Sequence, residues 1–126
     1  MIANLNSKQI LATDFCIGSQ HDFQLFKESR IAITSQISAL ADAGYQGLAS
    51  YHVNSQTPIK KKKTKLHPLN TKQKAHNRAL SKVRILIENI ICKLKIFRIL
   101  SERYRNRRKR FGLRFNLIAA IYNLEI

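Results

Sequence analysis

One carboxylate among apolar residues, flanked by cations, makes residues 84–95 the stretch best suited to chemistry. Arg84, Glu88 and Lys95 are spaced four and seven residues apart, so on a helix they lie along one stripe. The apolar residues around them predict a helix that is buried over most of its circumference. These residues are Val83, Leu86, Ile87, Ile90, Ile91 and Leu94.

A buried carboxylate at Glu88 is costly unless it is paired or bound to a metal ion. Two interpretations of this residue are therefore open. Glu88 forms a structural ion pair with Arg84 across one helical turn, or it serves as a ligand in an active site. Structural ion pairs outnumber active sites, so the spacing by itself favours the ion pair.

A second carboxylate, Asp42, follows a predicted strand over residues 37–42. Residues 43–47 contain two glycines and end this strand. In open α/β sheets, ligand groups gather at the carboxyl ends of strands. Asp42 is therefore either such a ligand or a turn residue whose carboxylate bonds its own backbone.

The positive charge of the chain is concentrated in its second half. The formal net charge is +16. Residues 1–55 contain three basic and four acidic side chains, whereas residues 56–126 contain 20 basic and three acidic ones. This asymmetry predicts a polyanionic partner, and nucleic acid is favoured over an acidic protein.

Two segments carry much of this charge. Four adjacent lysines, Lys60–Lys63, repel one another and predict a solvated loop that either contacts phosphate or acts as a solubilising linker. Residues 101–110 contain six basic side chains and Tyr104, a combination that suits phosphate contacts with added stacking. With so much further positive charge in the same half of the chain, phosphate contact is the favoured interpretation of both.

The hydrophobic pattern predicts a mixed α/β chain with strands in its first half and helices in its second. The predicted strands are 9–17, 37–42 and 52–57. A short helix is predicted from Phe23, capped by Asp22. One long helix or two joined helices are predicted up to Phe111, beginning at a cap at Asn70 or Thr71. Gly112 is predicted to end the basic segment, and a closing amphipathic helix is predicted over 115–122.

Several classes of protein are disfavoured. No apolar run reaches 18 residues and the N-terminus lacks the pattern of a secretory signal, so a membrane protein or secreted protein is not expected. Cys16 and Cys92 stand far apart without His or Cys at ligand spacing, which favours free thiols in a reducing cytosol. The chain has no glycine-rich phosphate loop, zinc-protease motif or nucleophile elbow.

Three motifs resemble those of DDE-type insertion-sequence transposases of the IS-five-like and Harbinger-like branch. They are Gly18-Ser-Gln-His-Asp22-Phe, Ala41-Asp42-Ala-Gly44-Tyr45-Gln-Gly47, and Arg84-x-x-x-Glu88-x6-Lys95 followed by Ile-Phe-Arg-Ile-Leu. The basic tail from Ser101 is also similar to that branch. Each motif is short, but their occurrence in this order from about Lys8 to the C-terminus is specific, and it reverses the preference for a merely structural Glu88.

The resemblance implies a ribonuclease H-like fold with an Asp-Asp-Glu triad that holds two divalent metal ions, Mg²⁺ or Mn²⁺. By motif position, Asp42 matches the second acid and Glu88 the third, and both would be catalytic and metal-binding. Arg84 and Lys95 match the basic members of the helix signature, which orient the acid and contact DNA. The full set of expected DNA-binding residues is Lys60, Lys61, Lys62, Lys63, Arg84, Lys95, Arg103, Arg105, Arg107, Arg108 and Arg110.

The sequence departs from the family pattern at two points. Ser81 stands where the family signature has Tyr. The first acid of the triad belongs to a strand upstream of all the matched motifs, and neither Asp14 nor Asp22 fits the first-acid motif. We therefore expect a partial ribonuclease H-like fold, α/β or α+β, that lacks its first strand.

The resulting expectation is a C-terminal part of one transposase catalytic domain, inactive alone. Residues 8–58 would supply strands and the first helix, residues 59–69 a basic loop, and residues 70–126 the helical part. The alternatives are a non-catalytic basic DNA-binding remnant and the second half of a split transposase. Expected partners are DNA and either a second copy or a complementing N-terminal transposase chain, in the cytoplasm at the nucleoid, with no membrane.

Overall fold

The computed structural model describes residues 1–60, 68–104 and 108–126. They form two compact units: one comprises residues 1–15 and 85–126, the other residues 16–84. We call them the terminal unit and the central unit. Both helices and strands are present, which confirms the predicted mixed α/β class. None of the described helices combines the length and apolar character that crossing a bilayer requires.

The terminal unit begins with a short antiparallel hairpin of β1 (Ile2–Ala3) and β2 (Ile10–Ala12). Its turn is held by the Asn4 carboxamide, which accepts hydrogen bonds from the backbone N–H groups of Asn6 and Ser7 at 2.8 and 3.1 Å. The predicted strand over 9–17 is thus confirmed for only three of its residues.

The described residues of this unit also contain the last part of α2 (Thr71–Leu94), then α3 (Arg98–Ser101), a 3-10 helix (Arg108–Arg110) and α4 (Phe111–Glu125). The buried core lies between α2, α4 and β2, with Ala3, Ile99, Leu100 and Phe115 among the half-buried side chains packed against it. Its members are Ile10, Ile90, Leu94, Ile118, Ala119 and Tyr122.

The predicted span from Asn70 to Phe111 contains two α-helices, α2 and α3, among its described residues, but other boundaries of the helical half differ from the prediction. Helix α2 ends at Leu94 without Gly or Pro, since the N–H groups of Ile96 and Phe97 bond carbonyls three residues back and tighten the last turn. Gly112 does not end the basic segment. It lies in the first turn of α4, where a Cβ would meet the Phe15 ring at 2.9 Å. The closing helix is not amphipathic either, because Leu113 and Leu117 are 73% and 61% exposed.

The central unit contains α1 (Asp22–Ser29), the strands β3 (Ala39–Leu40) and β4 (Ser55–Gln56), and the first part of α2. Strands β3 and β4 are parallel, with Ala39 opposite Ser55 and Leu40 opposite Gln56. Two 3-10 helices, Ala43–Tyr45 and Leu48–Ser50, connect them. The strands predicted over 37–42 and 52–57 are therefore present but shorter.

Two helix caps in this unit decide where its helices begin. Asn70 caps α2 as predicted, because its side chain accepts from the Gln73 N–H at 2.8 Å while the Gln73 side chain accepts from the Asn70 N–H at 3.0 Å. The prediction that Asp22 caps α1 is wrong. His21 is the cap, and its Nδ1 accepts from the Phe23 N–H at 3.3 Å.

Gly47 is expected to be sensitive to substitution because its φ of +90° lies in the left-handed region. Gly47→Ala should lower the free energy of unfolding by about 1–2 kcal/mol, measured by urea denaturation. Gly18→Ala is the matched control. No positive φ occurs there and nothing lies within 4 Å of the added Cβ, so it should be neutral or slightly stabilising. Equal losses in both variants would contradict this prediction.

Candidate functional site

Asp42 lies where the sequence predicts it, two residues after β3 at the carboxyl end of a parallel strand pair. It is also a turn residue: its Oδ1 accepts the Ala43 N–H at 2.6 Å and caps the first 3-10 helix. The carboxylate remains half-exposed, at 50%. The structure thus confirms the turn-residue interpretation and leaves the carboxylate accessible, whereas the ligand interpretation stays a prediction.

An ion pair connects Asp42 to the helix that carries the third motif. Arg84 Nη1 lies 3.6 Å from Asp42 Oδ1, although the two residues are far apart in sequence. Both belong to the central unit. The structure therefore brings together two residues that the family resemblance had assigned to one site.

Glu88 is not buried, so the predicted environment of this carboxylate is wrong. The helix around it buries one face only: Ile90 and Leu94 are buried, whereas Leu86 and Glu88 are exposed. Helix α2 therefore carries more apolar side chains around Glu88 than the terminal unit buries. Glu88 lies on α2, four residues after Arg84, and belongs to the terminal unit.

The other two motifs meet in the central unit. A Cβ on Gly44 would lie 3.8 Å from His21 Cε1, and one on Gly47 would lie 3.7 Å from Phe23 Cε1. The rings of Phe23 and Tyr45 pack edge to face with centroids 6.0 Å apart. The motif around His21 therefore supports the turn that presents Asp42.

Burial raises the pKa of Tyr45 above its ordinary value of 10.0, and the nearby carboxylates of Asp22 and Asp42, with Cys16, raise it further. Because the unfolded chain loses this proton first, the stabilisation is complete below the unfolded pKa and is lost as pH rises through the folded one. We expect Tyr45→Phe to flatten the loss of stability above about pH 10, measured by urea denaturation across pH.

The comparison for this prediction is with the unsubstituted chain over the same pH range. If Tyr45→Phe lost stability above pH 10 as steeply as the unsubstituted chain, the assignment to Tyr45 would be wrong.

The described acids do not by themselves form a complete metal site. Hard divalent cations take carboxylate oxygens, which Asp42 offers, but its Oδ1 already receives the Ala43 N–H and faces Arg84. Within residues 1–60, 68–104 and 108–126, no group of three or more His, Cys, Asp or Glu side chains is placed to hold a metal ion. Asp14 lies in the terminal unit and Asp22 in the central unit.

The predicted DNA-binding residues that the structure describes are exposed, as phosphate contacts require. They are Lys60, Arg84, Lys95, Arg103, Arg108 and Arg110. Arg108 and Arg110 lie in a 3-10 helix, Arg108–Arg110, which directly precedes α4. Lys61, Lys62, Lys63, Arg105 and Arg107 lie outside the described residues.

Sequence reasoning missed one set of exposed cations. Lys74, Arg78 and Lys82 follow one another at four-residue spacing along α2, and all three are exposed. Their four-residue spacing is a signal in the sequence, but the denser basic runs at 60–65 and 103–110 dominate its charge pattern. Ser81, which replaces the family's Tyr, also lies here and donates its hydroxyl to the Asn77 carbonyl at 2.9 Å.

The family model described as "Transposase DDE domain" matches residues 1–124. The chain belongs to this family. It is 46% identical over 126 residues to a probable transposase for insertion sequence element IS702 from Microchaete diplosiphon. The match covers all of this chain and 45% of that relative, so the chain spans less than half of the relative's length. No solved structure matches it.

Membership confirms the resemblance drawn from the three motifs. The structure adds one contact between two of these motifs, the ion pair between Asp42 at a strand end and Arg84 on α2.

Proposed function

We propose that this chain supplies the second and third acids of a DDE transposase catalytic domain, Asp42 and Glu88, and part of the surface that holds DNA. The full domain would have a ribonuclease H-like fold and would cut a DNA strand, then join the freed 3′-hydroxyl to target DNA. The ion pair between Arg84 and Asp42 carries this proposal, because it joins two motif residues distant in sequence.

In this proposal each side chain has a distinct role. Asp42 is fixed by its bond to the Ala43 N–H and by Arg84, which orients the carboxylate at the end of β3. Glu88 follows Arg84 by one helical turn on α2. Exposed Lys and Arg side chains would neutralise the DNA backbone.

We further propose that the chain is inactive alone. Two acids carry the family motifs here, and the described residues gather no set of three metal-binding groups. A partner would complete the site: either the remaining part of the domain on a separate chain or a second copy. Divalent metal, Mg²⁺ or Mn²⁺, belongs to the completed site in this proposal.

A nicking assay on supercoiled plasmid with Mn²⁺ tests both statements. The chain alone should not nick, but should nick when the remaining part of the Microchaete diplosiphon relative is supplied as a separate polypeptide. Asp42→Asn and Glu88→Gln should each abolish the restored activity. Nicking by the chain alone that Glu88→Gln removes would overturn the claim of inactivity. Restored nicking that survives both substitutions would overturn the assignment of the acids.

Arg84→Met separates function from folding in the same assay. The ion pair is largely exposed, at 60% and 50% for its two side chains, so its loss should cost no more than about 1 kcal/mol of stability. Restored nicking should nevertheless fall strongly, because Arg84 orients Asp42. If nicking falls only in step with stability, the residue is structural.

A second candidate function is DNA binding without catalysis, favoured by the exposed cations of the 3-10 helix Arg108–Arg110. It predicts salt-steep, sequence-indifferent binding whose log–log slope shrinks when Arg105, Arg107 and Arg108 are neutralised. It also predicts that the completing polypeptide restores no nicking. Binding that is indifferent to salt would exclude it.

A further inference from the structure

Three exposed cations on α2 form a line that the family motifs do not include. Lys74, Arg78 and Lys82 are each separated by one turn, a rise of about 6 Å. We call them the basic stripe. Together with Thr71, Ala75 and Ala79 they line an open depression of about 440 Å³ in the central unit.

The basic stripe is electrostatically unfavourable for the helix that carries it. Like charges four residues apart destabilise a helix, and the stripe contains two such pairs. The first turn of α2 has no acidic residue, although the positive end of the helix dipole favours one there. In the ranges that the structure covers, none of the three cations has a salt bridge to a carboxylate. An external anion would offset this repulsion.

The shape of the stripe suits a repeating anion that approaches closely. Thr71, Ala75 and Ala79 are small, so they leave the flank of the helix open beside the cations. Cationic side chains at intervals of about 6 Å match successive charged groups along a backbone better than they match one compact ligand. None of the six side chains is an amide that would read adenine or an aromatic ring on which a base would stack, and the three cations that could contact guanine suit phosphate equally well.

We infer that the basic stripe binds consecutive phosphates of one strand of duplex DNA without reading its sequence. The choice of DNA as the polyanion rests on the proposed function. The stripe is then a second contact surface, separate from the residues that bear the catalytic motif on the same helix. It would position the duplex along α2 upstream of Arg84.

The test is the salt dependence of duplex binding, measured with the full chain and an arbitrary 20-base-pair duplex. Neutralising all three positions to Gln should reduce the slope of log K against log salt by about 2.7, from 0.9 for each phosphate contact. Between 50 and 200 mM salt, the unsubstituted chain should therefore lose about 40-fold more affinity than the triple variant.

Lys72→Gln and Lys74→Gln form a matched pair for this experiment. Both remove one lysine from the first turn of α2, but the two side chains lie about 160° apart around the helix. Lys74→Gln should reduce the slope by about 0.9, whereas Lys72→Gln should leave it unchanged. Equal slopes in the two variants would overturn the assignment to one face.

Thermal unfolding distinguishes binding from a structural role. The triple variant should unfold at the same or a higher temperature, because like-charge repulsion has been removed. A lower unfolding temperature would mean that the three cations have stabilising partners, which would overturn the inference. A slope identical to that of the unsubstituted chain would overturn the stripe alone and leave the proposed function standing. Failure of the unsubstituted chain to bind duplex DNA would overturn both.

Discussion

Leu94→Ala is expected to lower the free energy of unfolding by about 2–5 kcal/mol, because it removes a side chain that is only 3% exposed at the centre of the terminal unit. Leu94 is the last residue of α2 and belongs to the same cluster as Ile90 and Tyr122. The truncation would also remove packing contacts from the tightened last turn of α2. The measurement is urea denaturation followed by circular dichroism.

Leu86→Ala is the matched control on the same helix. Leu86 is 36% exposed and is not part of the buried cluster, so the same truncation should cost less than about 1 kcal/mol. If the two variants lost equal stability, α2 would be buried around its circumference, as its sequence predicted. A large difference would support the one-sided burial found in the structure.

Asn123→Ala is expected to lower the free energy of unfolding by about 2–4 kcal/mol, because two backbone groups of a buried residue lose their partner. The Asn123 side chain accepts from the Ile10 N–H and donates to the Ile10 carbonyl, both at 2.8 Å. Ile10 is only 6% exposed, so water cannot easily replace the lost bonds. In effect, the carboxamide on α4 pairs with the open edge of β2.

The chain contains a control with the same hydrogen-bond geometry in a different environment. Asn77 on α2 accepts from the Ile59 N–H at 2.8 Å and donates to its carbonyl at 2.9 Å, but Ile59 is 39% exposed. Asn77→Ala should therefore cost about 1 kcal/mol or less, since solvent can replace both bonds. Both substitutions place Ala in a helix, so helix propensity cancels in the comparison. Equal losses would show that burial does not set the cost.

The local elements were predictable where a short-range signal specifies them. The cap at Asn70 needs only the Gln three residues later, and the turn after β3 needs only its glycines and Asp42. Strand lengths were predicted less well. β2 covers three residues because pairing partners, rather than the apolar run over 9–17, determine how far a strand extends.

Burial was the property that the sequence predicted least well. The branched residues around Glu88 indicated a helix enclosed on most sides, yet exposure of Leu86 and Ile85 shows that the terminal unit covers one face. Burying an apolar side chain is favourable, but the side chain becomes buried only where a neighbouring element packs against it. The same reason accounts for α4, whose sequence is apolar on both faces and which packs through only one.

Residues 84–95 show most clearly which properties the sequence determined and which the tertiary structure decided. The sequence by itself determined the order of the motifs, the concentration of charge in the second half and the helical spacing of Arg84, Glu88 and Lys95, because these depend on residue identity and position alone. Only the tertiary structure decided that Arg84 meets Asp42, that Glu88 is exposed and that Asn123 pairs with Ile10. Those contacts join residues far apart in the chain, and packing rather than local preference brings them together.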